Sequence, residues 1–338
     1  MDEMQMLRDH HDAQPSPSPD TVVKARARLA AHTRPRRMPR LGRLSRGTAA
    51  AGLALAVGLV AVQVIHDDGK DGVLNAEPAS ATEVLDRAAT AARRQRDPHP
   101  RAGQFVFAES LDDHYDSGID PDSRTKPGWT KSHRRVWLPV DGKQNGLLKE
   151  QTTLSHGTPV RQAWSTTPLK QPDGGPLGDP NNYTALNRLP RDPDKLLTEL
   201  HRMYPAAHST DPVRDRTADE KVFNGIQGMV AESYLPPSLR AALFQATKKI
   251  PGITLVKDSA DAAGRHGIAV ALTFKEGIRE EIIFDRRTYA PLGSRTVLSD
   301  ARAYDKLFVD LKGVPQGQTL SRTALLSTEI VDRPGQLS

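Results

Sequence analysis

The sequence contains no cysteine. That excludes disulfides, thiolate zinc sites, iron–sulfur clusters and a cysteine nucleophile. It also lacks a Gly-x-Ser-x-Gly elbow, a phosphate-binding glycine loop and a His-Glu-x-x-His zinc motif. No internal repeat is visible. These absences leave no motif-borne catalytic activity, and the expectation is a non-enzymatic protein without a cofactor.

An excess of one charge is also missing from most of the chain. The net charge is +6 over 338 residues, but it is concentrated at one end. Residues 1–47 carry ten Lys/Arg against five acids, and the remainder is close to neutral. The basicity is therefore a property of a tail, and a nucleic-acid partner is not expected.

Directly after the tail comes an uncharged run from Thr48 to Ile65, in which only Thr48 and Gln63 are polar. At helical rise it spans about 27 Å, close to the hydrocarbon thickness of a bilayer. Arg34, Arg36, Arg37, Arg40, Arg43 and Arg46 precede it, and Asp67, Asp68, Lys70 and Asp71 lie just beyond it. Arginines retained on the cytoplasmic side predict a single-pass cell-membrane protein, N-terminus inside and residues 66–338 outside. The same cluster would attract anionic membrane lipid. The rival reading is a cleaved signal peptide. It needs a very long basic region, and the nearest small-x-small site, Ala79-Ser80-Ala81, lies far past the apolar core.

The expected organisation is a largely disordered tail (1–47), a transmembrane helix (48–65), a stalk (66–79) and an extracytoplasmic domain (80–332). In that domain Ser80 and Glu83 form a capping box before the stripe Val84, Leu85, Ala88, Ala91 and Ala92. Strand patterns occupy 104–110, 131–140, 147–155 and 160–166, and Asp141-Gly142 is a turn signal. Residues 168–193 are rich in Pro and Gly and read as a long surface loop. Three helices come next, opened by Asp192-Pro193, by the capping box Thr217/Glu220 and by Pro236-Pro237. Strands return at 253–257, 268–274, 280–285, 292–299 and 324–330. Strands, then helices, then strands predict an α+β fold with an antiparallel sheet in two strand groups around a helical insertion.

Several residues invite chemistry and also have plainer readings. His10-His11-Asp12 and His66-Asp67-Asp68 could bind metal, but read more simply as solvated or interfacial groups. Asp112-Asp113-His114 and Asp116–Asp122 read as an acidic loop without the ligand spacing of a calcium site. Of the pair Glu280-Glu281, one is expected to face solvent and one to be packed or ion-paired. Phe105, Phe107, Trp137 and Trp164, with Trp129, could line an apolar ligand cavity, and ordinary core is the alternative.

The stretches Tyr234–Lys257, Asp261–Val270, Glu281–Asp285 and Tyr289–Gly293 resemble an actinobacterial family of single-pass membrane-anchored proteins of unassigned activity. Asp2-Glu3, Lys24–Leu29, the anchor and Gln104–Phe107 are similar to it as well. Members are often encoded beside extracytoplasmic-function sigma factors. The resemblance therefore implies an envelope sensor or regulator whose tail contacts a cytoplasmic partner such as a sigma factor. It defines no catalytic residues. The chain departs from many anti-sigma domains in lacking their His-x-x-x-Cys-x-x-Cys zinc motif. The second expectation is an anchored module that binds or carries lipid or another apolar envelope ligand.

Overall fold

The computed structural model describes residues 78–116, 127–155, 157–160, 162–169, 182–206, 216–305 and 313–337. All belong to one compact unit, Gly69–Ser338. The expected tail, membrane helix and most of the stalk lie outside the described residues, as do the arginine cluster, His10-His11 and His66. Among the described residues no helix is long and apolar enough to cross a membrane.

Helix α1 (Ala81–Arg93) starts where Ser80 accepts a hydrogen bond from the Glu83 amide. The Glu83 carboxylate reaches back to the Ala79 amide, one residue beyond the Ser80 amide of a reciprocal box. The sheet begins with β1 (Phe105–Asp116), β2 (Gly128–Pro139), β3 (Gly146–Ser155), β4 (Thr158–Pro159) and β5 (Ser165–Leu169). Helices α2 (Tyr183–Asn187), α3 (Pro193–Met203), α4 (Ala218–Glu232) and α5 (Pro237–Thr247) come after it. The chain ends with β6 (Thr254–Ala260), β7 (His266–Thr273), β8 (Ile278–Phe284), β9 (Pro291–Leu298), α6 (Ala301–Asp305) and β10 (Thr319–Val331).

The α+β class and the antiparallel pairing stand. The two strand groups are joined into one sheet, in the order β4-β3-β2-β1-β10-β9-β8-β7-β6, with β5 also paired to β3. The last strand makes this union by sitting between β1 and β9. Of the strand expected at 160–166, only 165–166 are in a strand, β5, and β4 ends just before it. Within the expected loop 168–193, Asn182 caps the short helix α2, which buries Tyr183 and Leu186. The density of proline and glycine around it masks the cap signal.

The main core lies between the helices and one sheet face. Val84, Leu85, Ala88, Ala89 and Ala92 of α1 meet Leu239, Ala242, Leu243 and Ala246 of α5 over Ile268, Val270, Leu272, Ile282 and Phe284. Alanines on both helices let the two backbones approach closely. Each fully buried Leu or Phe here contributes roughly 1.5–3 kcal/mol of transfer free energy. Phe244 of α5 meets Phe284 of β8 edge-on at 5.3 Å.

Strands β9 and β10 pair only as far as Gly293↔Ala324, after which β10 continues along β1 alone. The Arg265 guanidinium spans this parting and donates to the carbonyls of Leu292 and Leu325, each at 2.8 Å. Buried Asp261 holds that guanidinium at 2.7 Å. The close β9–β10 approach needs Gly293, where a Cβ would sit 2.1 Å from the Thr323 carbonyl oxygen.

Candidate functional site

Residues paired directly across an antiparallel sheet point to the same face. Glu281 pairs with Arg295, Arg295 with Arg322, Arg322 with Asp113, and Asp113 with Lys131. Five charged side chains therefore form one row across β8, β9, β10, β1 and β2. Alternation along β8 puts Glu281 opposite Ile282 and Phe284, so the row lies on the face away from the helix-packed core.

Glu281 is fully buried. Its Oε1 accepts from Arg279 Nε at 2.9 Å and Arg295 Nη2 at 3.1 Å. Its Oε2 accepts from Arg295 Nε at 2.9 Å and Ser259 Oγ at 2.6 Å. Multiple charge-assisted bonds of this kind offset the desolvation of the carboxylate. In the middle of the row Asp113 takes Arg322 Nη2 at 2.5 Å and Lys131 Nζ at 3.3 Å. The Arg322 guanidinium stacks 5.3 Å from the Trp129 ring, which meets Tyr115 edge-on.

Elsewhere on β1, Glu109 Oε1 is shared by Arg135 Nε at 2.7 Å and His133 Nε2 at 2.8 Å. Arg135 and His133 both lie against Trp164, at 4.6 and 5.0 Å. The pattern occurs three times: one carboxylate held low on the sheet, two basic groups closing over it, and an aromatic ring beside two of the three clusters.

On the opposite face Glu280 is buried beneath α4, accepting from Gln227 at 2.9 Å and Thr296 at 2.9 Å. Burial pushes its carboxyl above the usual range, against the hydrogen bonds of Gln227 and Thr296 and the charge of Arg216. The Glu276 charge adds to the rise. Neither member of the Glu280-Glu281 pair faces solvent, which corrects the expectation for one of them. Alternation sends them to opposite faces, and both faces are closed there.

The acidic-loop reading of Asp112-Asp113-His114 is corrected too. These residues belong to β1, and Asp113 is buried by cations from β2 and β10. Most of the remainder of that expected loop lies outside the described residues. Among the described residues no group of three or more His, Asp or Glu is placed to hold a metal.

Phe105, Phe107 and Trp137 come together with Val331 and Leu147 in a small buried cluster. Phe107 and Trp137 rings lie 5.1 Å apart, and Trp137 Nε1 donates to the Gln336 carbonyl at 2.8 Å. Trp164 is not with them; it sits over Arg135. Sequence reasoning does not single out Arg279, Arg295 or Arg322. Their sequence neighbours, Ile278 and Glu280, Ser294 and Thr296, and Ser321 and Thr323, do not reveal which acid each will meet.

No protein-family model matches the chain, and no curated protein matches it. Solved structures similar to it include MucB in complex with MucA(peri), at 14% identity and a TM-score of 0.23 over 73% of this chain. The Pseudomonas aeruginosa MucA/MucB complex gives 14% and 0.21 over 74%, and MucB alone 15% and 0.21 over 76%. The chain spans only 55%, 56% and 60% of those chains' lengths.

Proposed function

We propose that this chain is a membrane-anchored, non-enzymatic regulator. Its outer α+β domain recognises an envelope partner or ligand, and its basic tail contacts a cytoplasmic partner of the sigma-factor kind. The observation that carries the reading is the charged row. One sheet face is closed by helices. The other presents ionic groups, each buried carboxylate held by two cations, spread across five strands. Acid–base catalysis asks for groups converging on one reacting atom. A spread of clusters whose cations stay partly exposed over buried carboxylates suits recognition.

The anchoring and orientation come from the sequence: an uncharged span flanked by arginines on one side and aspartates on the other. The resemblance to proteins encoded beside sigma factors supports the regulatory role.

The test is retention of partners by the full-length chain purified in mild detergent. A sigma factor is expected to co-purify and to be lost when residues 1–47 are deleted. A preparation that retains lipid and no sigma factor would overturn the regulator in favour of an anchored carrier.

A further inference from the structure

We infer that the face bearing the charged row docks an extended acidic peptide segment of a partner protein, with Arg322 as the anchoring cation. The inference rests on the binding-module reading above and names the chemistry of its partner.

Charge is layered on this face. The carboxylates of Glu281 and Asp113 are 0% and 4% exposed, whereas Arg295, Arg322 and Lys131 are 19%, 26% and 41% exposed. Negative charge lies beneath and positive charge outside. Each of these carboxylates is shared by two permanent cations, Arg279 and Arg295 for one, Arg322 and Lys131 for the other. One positive charge per carboxylate is left without a counter-charge.

Arg322 is incompletely satisfied. Its Nη2 bonds to Asp113, while its Nε is buried with no partner among the described residues. The part of the side chain that remains exposed, 26%, is what an incoming carboxylate meets. Stacking on Trp129 keeps the guanidinium flat for such a contact.

The dimensions suit a peptide. Five strands at about 4.8 Å spacing make a row roughly 19 Å long. An extended chain presents every second side chain to one face, about 6.7 Å apart, so some six residues cover the row. Tyr115 and Trp129, packed edge-on, supply an apolar rest for the residues between. A flat bilayer fits less well. The arginines are drawn down onto buried carboxylates and do not stand clear of the sheet to reach head groups, whereas an extended chain can lie against them.

The probe is a fluorescein-labelled hexapeptide of alternating Glu and Val, titrated into the full-length chain in mild detergent and read by anisotropy. A Gln-Val hexapeptide is the control, and short-chain phosphatidylglycerol is the competitor. The acidic peptide is expected to bind about tenfold tighter than the control, and more weakly as salt is raised. Arg322→Gln is expected to weaken it about tenfold. Lys131→Gln, at the most exposed cation, is expected to weaken it about threefold and to lower the melting temperature less than Arg322→Gln does. Equal binding of the two peptides overturns the inference, as does full affinity in both variants. Displacement by phosphatidylglycerol at concentrations below the peptide's own Kd also overturns it, in favour of a membrane surface. Sigma-factor retention runs through residues 1–47, so its loss would sink the regulator while leaving peptide binding intact, and the converse holds.

Discussion

Replacing Glu281 by Gln is the sharpest perturbation of this fold. The carboxylate is fully buried and accepts from Arg279, Arg295 and Ser259. Glutamine keeps the shape, removes the charge and turns one acceptor oxygen into a donor nitrogen facing other donors. Removing one partner of a buried ion pair costs about 3–5 kcal/mol. The guanidiniums of Arg279 and Arg295 remain 29% and 19% exposed. Water can therefore take up part of the lost interaction, and the low end of that range, about 3 kcal/mol, applies. At about 2–4 °C per kcal/mol for a domain of this size, the melting temperature falls by roughly 6–12 °C. Tryptophan fluorescence during heating of the full-length chain measures it. A second arm combines Glu281→Gln with Arg295→Gln. Because the two side chains touch, the losses are expected to fall short of additivity by about 1–2 kcal/mol. A melting shift under about 2 °C with strict additivity would refute the buried ionic cluster.

Two more outcomes rest on the same geometry. Gly293→Ala forces a Cβ to within 2.1 Å of the Thr323 carbonyl oxygen. Strands β9 and β10 must separate, and the domain is expected to lose at least about 3 kcal/mol in urea unfolding, in the range of severe packing clashes; an unchanged midpoint would contradict the close approach. Glu280 has a native pKa raised above its ordinary 4.5, chiefly by burial. Its stabilising contribution is therefore complete below that ordinary value and disappears as pH rises through the native one. Glu280→Gln is expected to be more stable than the parent at about pH 7, with the gap closing as pH falls toward 4.5. A gap that stays constant with pH would mean the carboxyl is not buried as described.

Much of the secondary structure was legible because its causes are local. Ser80 with Glu83, Thr217 with Glu220, and Asp192 before Pro193 each announce a helix start through groups within four residues. The large residues of Ile268–Phe274 fall at alternate positions and mark β7. Legibility failed where local chemistry pointed away from the tertiary answer. Asp112-Asp113-His114 has the composition of a loop. It forms a strand because Lys131 and Arg322, on neighbouring strands, neutralise Asp113 inside the sheet. The segment around Tyr183 was hidden by surrounding prolines and glycines, although Asn182 caps it.

The site was illegible for a deeper reason. Arg322 and Asp113 lie 209 residues apart and meet only because β10 inserts beside β1. Sequence alone determined where the long helices begin, which strands alternate, and that positive charge gathers ahead of one uncharged span. Those are consequences of neighbours a few bonds away. Strand order and register are set by which hydrophobic faces can be buried together, a condition on the whole chain at once. A shift of one residue in any pairing would turn the charged row to the other face and dissolve it.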